Sequence, residues 1–276
     1  MLADELCSLC EGRTKKTDYV DQFYGNPLLL CEKCGSLRVE KIPTCIELKN
    51  FYEQINSTER SNNYISDSYF KVMRSRAQAQ FNLLNKYVQI DGAKILDYGC
   101  GYGLLLDLLK SSGAETYGFD YDPYCKVRLK EKGHSLVDED IFHGSIKWDV
   151  VCLSHIIEHL PDPFLFLAGV KEHSRFIFIE VPNYEPCQRE QFVNLEGHLW
   201  FFSENGLSAL ANKTGLFIKE IICCGPDIRV FWSNTLIFKM FRRVMRQITG
   251  DLFLNQYDNK GSRRIWLRLV ASGKVK

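Results

Sequence analysis

Four apolar runs mark the middle of the chain: AKILDYG (93–99), ETYGFD (115–120), WDVVCLS (148–154) and RFIFIEVPN (175–183). Each is short, nearly continuous and bounded by glycine, proline or polar residues, the pattern of strands buried on both faces. Between the first two, LLLDLLK (104–110) reads as a helix. The strand–helix–strand–helix order from Lys94 to Val181 predicts an α/β fold with a doubly wound, mostly parallel sheet. Ahead of it, SYFKVMRSRAQAQFNLLNKYV sets Phe70, Met73, Ala77, Phe81, Leu84 and Val88 at helical spacing. The polar, turn-rich NSTERSNNYISDS before that helix places a boundary near residue 60, with a small module over 1–60 and the main domain over 61–276. Past the sheet, FIKEIICCG predicts a strand with Cys223 and Cys224 in the core. TLIFKMFRRVMRQITG (235–250) puts Lys239, Arg242, Arg243 and Arg246 on one side of a helix. Ile237, Phe241, Val244, Met245 and Ile248 take much of the other, so a basic amphipathic helix is expected inside an insertion, 231–262. RRIWLRLVASGK (263–274) predicts a final strand at the sheet edge.

The first strand runs into Gly99, Gly101 and Gly103, with Asp97 just before them. Glycine weakens both strands and helices, so this spacing predicts a sharp bend or a ligand lying very close. Strand, glycine turn and helix together bring backbone amides and a helix N-terminus against a ligand. A plain tight turn in an α/β sheet is the other reading. The second strand ends at Asp120, nineteen residues after Gly101, placed to accept hydrogen bonds from ribose hydroxyls. A dinucleotide fingerprint would carry its third glycine where Leu104 stands. Asp97 would repel a pyrophosphate and suits a cationic amino-acid group. Both points favour S-adenosylmethionine over a nicotinamide cofactor.

Composition adds one feature. At 276 residues, 45% hydrophobic and 25% charged, the chain is ordinary for a globular protein. It shows no secretory signal and no run long enough to span a membrane, so a cytoplasmic location is expected. Eleven cysteines are many, and four of them form two C-x-x-C knuckles: Cys7 with Cys10, and Cys31 with Cys34. Zinc takes four thiolates in a tetrahedron, and so small a segment needs a staple. A structural Zn2+ on these four is expected; a redox dithiol or free thiols is the alternative. The scattered cysteines fit buried thiols in a reducing compartment. The net charge of +1 hides an asymmetry. Residues 1–60 hold eight Lys/Arg against ten Asp/Glu, and residues 235–276 hold ten against two. The module is therefore a poor electrostatic match for nucleic acid. The basic helix either solvates its charges or meets an anionic partner such as a nucleotide diphosphate, a lipid-linked sugar or a membrane surface.

LDYGCGYG, GFDYDP, WDVVCLSHIIEHLPDP, IEVPN and HLWFFSENGLSALANKTGL together resemble the sequential motifs of class I S-adenosylmethionine-dependent methyltransferases. The resemblance covers residues 5–225 and, more weakly, the strand at 264–272. IIEHLPDP and the last stretch resemble the branch with ubiquinone-type O-methyltransferases and bacterial sugar methyltransferases. The four-cysteine module is similar to that of nucleotide-sugar C-methyltransferases. The resemblance implies a Rossmann-like domain behind a zinc-knuckle module, and it implies roles. Gly99, Gly101 and Gly103 would let the backbone wrap the cofactor, with Cys100 a small residue tolerated beside it. Asp97 would face its amino group, Asp120 its ribose and Tyr121 its adenine. Asp140 and Ile141 would meet the adenine edge, and Ser154 and His155 the methionine end.

Methyl transfer needs nucleophile, methyl and sulfur in line, and a hydroxyl or carbon nucleophile needs a general base. His198, in EGHLWFFS, is the candidate; a histidine supporting the following helix is the other reading. Similar C-methyltransferases carry Tyr-Asp-Glu-His where Leu195, Glu196, Gly197 and His198 stand here. The missing tyrosine favours oxygen over carbon. Glu158 and His159 are expected to be structural, and His134, His143 and His173 to lie at the surface. The expected reaction is O-methylation of a sugar, as a nucleotide sugar or polysaccharide precursor. Alternatives are rRNA methylation, C-methylation of a nucleotide keto-sugar, or a non-catalytic binding module.

Overall fold

A computed structural model describes residues 6–21, 25–44, 46–48, 67–137, 146–184, 197–224 and 266–273. After helix α1 (Asp67–Tyr87) the alternation expected from the sequence follows: β4 (Lys94–Tyr98), α2 (Leu104–Ser111), β5 (Glu115–Phe119), α3 (Pro123–Glu131), β6 (Ser135–Leu136) and β7 (Trp148–Ser154). A 3-10 turn (Ile157–His159), α4 (Pro163–His173) and β8 (Ser174–Pro182) complete the parallel part. The helices start where caps allow. Asp122 accepts from Tyr124 N and Asp162 from Leu165 N, each with proline in the first turn behind it.

Next come β9 (Trp200–Phe201), α5 (Glu204–Lys213), β10 (Phe217–Cys224) and β11 (Trp266–Ser272). The main sheet runs β10-β11-β8-β7-β4-β5-β6. β4 to β8 are parallel, and β11 is antiparallel to both its neighbours. Leu84, Ile95, Leu106, Leu109 and Leu129 fill the core on one face, and Leu153, Leu167, Ile177, Ile179 and Leu210 that on the other. This is the doubly wound, Rossmann-like arrangement.

Two expectations about the sheet need correction. β11 lies between β8 and β10, not at the edge. Its Leu269, Val270 and Ala271 are fully buried, and such a run needs cover on both faces and both sides. β10 takes the edge instead, so Cys223 and Cys224 are only half-buried. A third correction concerns His134, which is buried rather than superficial. Its Nδ1 bonds Thr116 Oγ1 and its Nε2 bonds Asp107 Oδ1, each at 2.9 Å, so the imidazole leaves water without losing partners. His173 is half-buried at the end of α4.

Ahead of α1 lie β1 (Thr14–Val20), β2 (Pro27–Cys31) and β3 (Leu37–Val39). With β9 they form a second, antiparallel sheet of order β1-β2-β3-β9. Leu28, Leu37 and Val39 share one core with Phe201, Phe202 and Leu207. The boundary near residue 60, His143, Asp140, Ile141 and the basic helix 235–250 within 231–262 lie outside the described residues. Among the described residues no helix is long and apolar enough to cross a membrane.

Candidate functional site

The glycine turn sits at the carboxyl end of β4. Gly99, Gly101 and Gly103 have φ of 79°, 51° and 70°, a region that side chains disfavour. A Cβ on Gly99 would fall 2.2 Å from Ile156 Cδ1, whereas one on Gly101 would meet nothing within 4 Å. The turn is therefore packed on one side and open on the other. Gly99 N and Cys100 N both donate to Phe119 O, and Gly101 N donates to Asp120 Oδ2 at 2.7 Å. These bonds stitch the turn to the end of β5. Cys100 Sγ fits against Gly118, where a Cβ would lie 3.0 Å from it.

Asp97 and Asp120 flank this turn. Asp97 is only 4% exposed, and its Oδ1 is buried with no hydrogen-bond partner. Burial pushes its carboxyl up to about 7, against the pull of Arg76 and with Asp120 and Glu180 adding repulsion. Burial raises Asp120 too, and the Asp122 and Gly101 amides hold it back. Tyr121 is 61% exposed and meets Phe119 edge-on with centroids 5.0 Å apart.

Beside the turn, at the ends of β7 and β8, the structure assembles a charged network. Glu180 is fully buried and is paired with Arg76 of α1 and Arg268 of β11. Gln80 donates to Glu180 Oε1 at 3.0 Å and to Ser154 Oγ at 2.9 Å, and Arg76 donates to the same hydroxyl. His155 follows with φ of 56°, rare for a residue with a side chain. Its Nδ1 lies 3.2 Å from Glu158 Oε1, and its Nε2 is buried with no hydrogen-bond partner. None of Arg76, Gln80, Glu180 or Arg268 was expected from sequence. The signal was there in part: Glu180 in RFIFIEVPN and Arg268 in RRIWLRLVASGK are lone charges inside apolar strands. Such charges are seldom buried unless paired.

His198 lies on the far side of the 3-10 turn and is buried. Its Nδ1 is 3.1 Å from the Tyr184 hydroxyl, and its ring meets that of His159 edge-on with centroids 4.5 Å apart. Glu158, fully buried, brings a carboxylate within 4.8 Å of both imidazoles. Burial depresses His198 to about 3, helped by His159 and opposed by Glu158. Burial works to raise Glu158, but His155, His159 and His198 outweigh it and bring the carboxyl down to about 2.

The four N-terminal sulfurs lie within 4.8 Å of one another. Cys10 and Cys31 are 3.4 Å apart and Cys7 and Cys34 3.9 Å, and no disulfide joins them. Sulfurs on a tetrahedral zinc, with bonds of about 2.3 Å, stand about 3.8 Å apart. Cys34 N points at Cys31 Sγ, 3.4 Å away, inside a turn that Gly35 closes with φ of 77°.

Comparison with known proteins agrees with this layout. The methyltransferase-domain family matches residues 69–220, from α1 into β10. The ubiquinone biosynthesis O-methyltransferase of Nitrosospira multiformis is 24% identical over 181 residues, 56% of this chain and 76% of that one. That of Pseudomonas fluorescens is 30% identical over 181 residues, 56% of this chain and 78% of the relative. Magnesium protoporphyrin IX methyltransferase from Synechocystis PCC 6803, solved with bound S-adenosylhomocysteine, shares the fold. Its TM-score is 0.53 at 12% identity, over 80% of this chain and 97% of that one. The chain belongs to the methyltransferase-domain family and is an S-adenosylmethionine-dependent methyltransferase.

Proposed function

We propose that this methyltransferase methylates a hydroxyl of a small-molecule acceptor, with its cofactor held between Asp97, the glycine turn and Asp120. The observation that carries the reading is Asp97 Oδ1, a buried carboxylate oxygen without a partner beside a turn with one open side. An unpaired buried polar atom is costly, and an α-ammonium group would satisfy it. Asp120, aimed by two backbone amides, keeps lone pairs for ribose hydroxyls. The backbone at Gly99, Cys100, Gly101 and Gly103 lines the middle, the exposed Tyr121 would cover the adenine, and Ser154 and His155 would border the methionine end. Asp140 and Ile141 complete the adenine edge by resemblance alone. When bound, the cofactor supplies a methyl group on a sulfonium sulfur.

Cofactor affinity should depend on pH through Asp97. Its carboxyl sits near 7 in the free protein, so below that pH it is protonated and neutral, and it offers a cation nothing. Affinity should rise with pH, level off above about 7, and fall about tenfold per unit below it. Calorimetry with S-adenosylhomocysteine across about pH 5.5–8.5 measures this. Asp97→Asn should flatten the curve.

On the acceptor side, His198 is the proposed base. In the tautomer that donates from Nδ1 to the Tyr184 hydroxyl, Nε2 is the nitrogen that takes a proton, and Glu158 then lies beside the imidazolium. Burial keeps the ring neutral but also weakens it as a base, and the Glu158 carboxylate offsets part of that cost as the proton arrives. His198→Ala should lower kcat by about a hundredfold or more, with affinity for S-adenosylhomocysteine unchanged. The O-methyltransferase names of the curated relatives support oxygen as the acceptor atom. A carbohydrate hydroxyl is the second reading, favoured by the four-cysteine module. A methyl-transfer screen of catechols and other phenols against nucleotide sugars separates the two. The same module supports a structural zinc on Cys7, Cys10, Cys31 and Cys34, which metal analysis of purified protein would find at about one ion per chain.

A further inference from the structure

The second knuckle is the turn of the β2–β3 hairpin: β2 ends at Cys31 and β3 begins at Leu37. β3 pairs in turn with β9, Leu37 with Phe201 and Arg38 with Trp200, and Val39 N donates to Leu199 O at 3.0 Å. A strand as short as β9 cannot set its own register. Just past it, Ser203 Oγ donates to Cys34 O, and Ser203 N donates to Ser36 Oγ at 3.0 Å. The two hydroxyls are 3.1 Å apart, and Ser203 Oγ also accepts from Gly206 N to cap α5. The approach is so close that a Cβ on Gly206 would lie 1.9 Å from Ser36 Oγ. The other flank of the segment is held as well. Leu199 N donates to Glu158 O at 2.8 Å, Trp200 Nε1 to Leu160 O at 2.9 Å, and Tyr184 N to Phe202 O at 3.0 Å.

His198 therefore stands at the edge of a segment clamped from two sides. One clamp is the turn that carries Glu158 and His159. The other is the cysteine knuckle. We infer that the knuckle positions His198, with Ser36 and Ser203 as the positioning residues, so that metal loading governs the acceptor half of the site and not the cofactor half. Asp97 on β4 and Asp120 just past β5 belong to the other sheet, and this segment meets their side of the site through the turn that carries Ile156 and Glu158 rather than through the knuckle. The inference rests on the reading of the four cysteines as a zinc site and of His198 as the base.

The test uses the full chain, zinc-loaded, with Ser36→Ala. This variant keeps every cysteine and the whole of the β4–β5 turn. Amides of residues 198–203 should exchange with solvent about tenfold faster, and the ring resonances of His198 should shift. Zinc content, exchange at residues 94–101 and affinity for S-adenosylhomocysteine should stay as in the unaltered protein. Removing the metal with a chelator should speed exchange over the same segment without Ser36→Ala. Unchanged exchange at 198–203 in the chelated protein would overturn the inference. So would acceleration that spreads to 94–101 with loss of S-adenosylhomocysteine binding, because the module would then be a general staple. A failure of the functional reading looks different: no zinc in the purified protein, or no heat with S-adenosylhomocysteine from the unaltered chain.

Discussion

Glu180→Ala should lower the unfolding free energy by about 3–5 kcal/mol. The carboxylate is fully buried and is shared by Arg76 and Arg268, the latter only 3% exposed. Deleting it removes a buried carboxylate that both guanidiniums bind, which costs far more than losing an exposed pair would. Urea unfolding followed by tryptophan fluorescence reads the change. The pH dependence has a fixed sign. Burial alone would raise Glu180, but the two guanidiniums win and bring it to about 2, below the ordinary 4.5. Its contribution is therefore complete above 4.5 and is lost as pH falls through the folded value near 2. The unaltered protein should lose stability over that window more steeply than Glu180→Ala.

Asp120→Ala should weaken S-adenosylhomocysteine binding by about a hundredfold to ten-thousandfold. Two hydrogen bonds from ribose hydroxyls to a carboxylate are worth about 1.5–3 kcal/mol each. The substitution also frees Gly101 N, whose bond to Asp120 Oδ2 holds the glycine turn against β5. Titration calorimetry measures the loss. Asp122→Ala, which removes the α3 cap and nothing from the turn, is the control and should cost the binding little.

These two carboxylates differ in how far the sequence disclosed them. The sequence disclosed the position of Asp120, just past a strand and at a fixed distance from a glycine turn that it then binds, because both features are local. The same holds for Asp97, the alternation from β4 to β8, and the paired cysteines. Glu180 could not be placed, since its partners come from α1 and β11, and no spacing along the chain links residues 76, 180 and 268. The burial of His134 is hidden for a related reason. A single histidine gives no hint that Thr116 and Asp107, on β5 and α2, will satisfy both its nitrogens. The position of β11 followed from burial on both faces, a property that its apolar run displayed but that edge placement ignored. Joining β9 to the N-terminal sheet is likewise invisible locally, because a pair of residues carries no strand signal.

That last pairing also bears on how the chain is made. The hairpin of β2 and β3 emerges from the ribosome early, with the outer edge of β3 bare. All of β4 to β8 is synthesised before Trp200 and Phe201 arrive to cover it. A bare edge flanked by Leu37 and Val39 is where nascent chains join the wrong neighbour. Metal on the knuckle would close the hairpin turn in that interval, but the outer edge of β3 stays unpaired until β9 has been made.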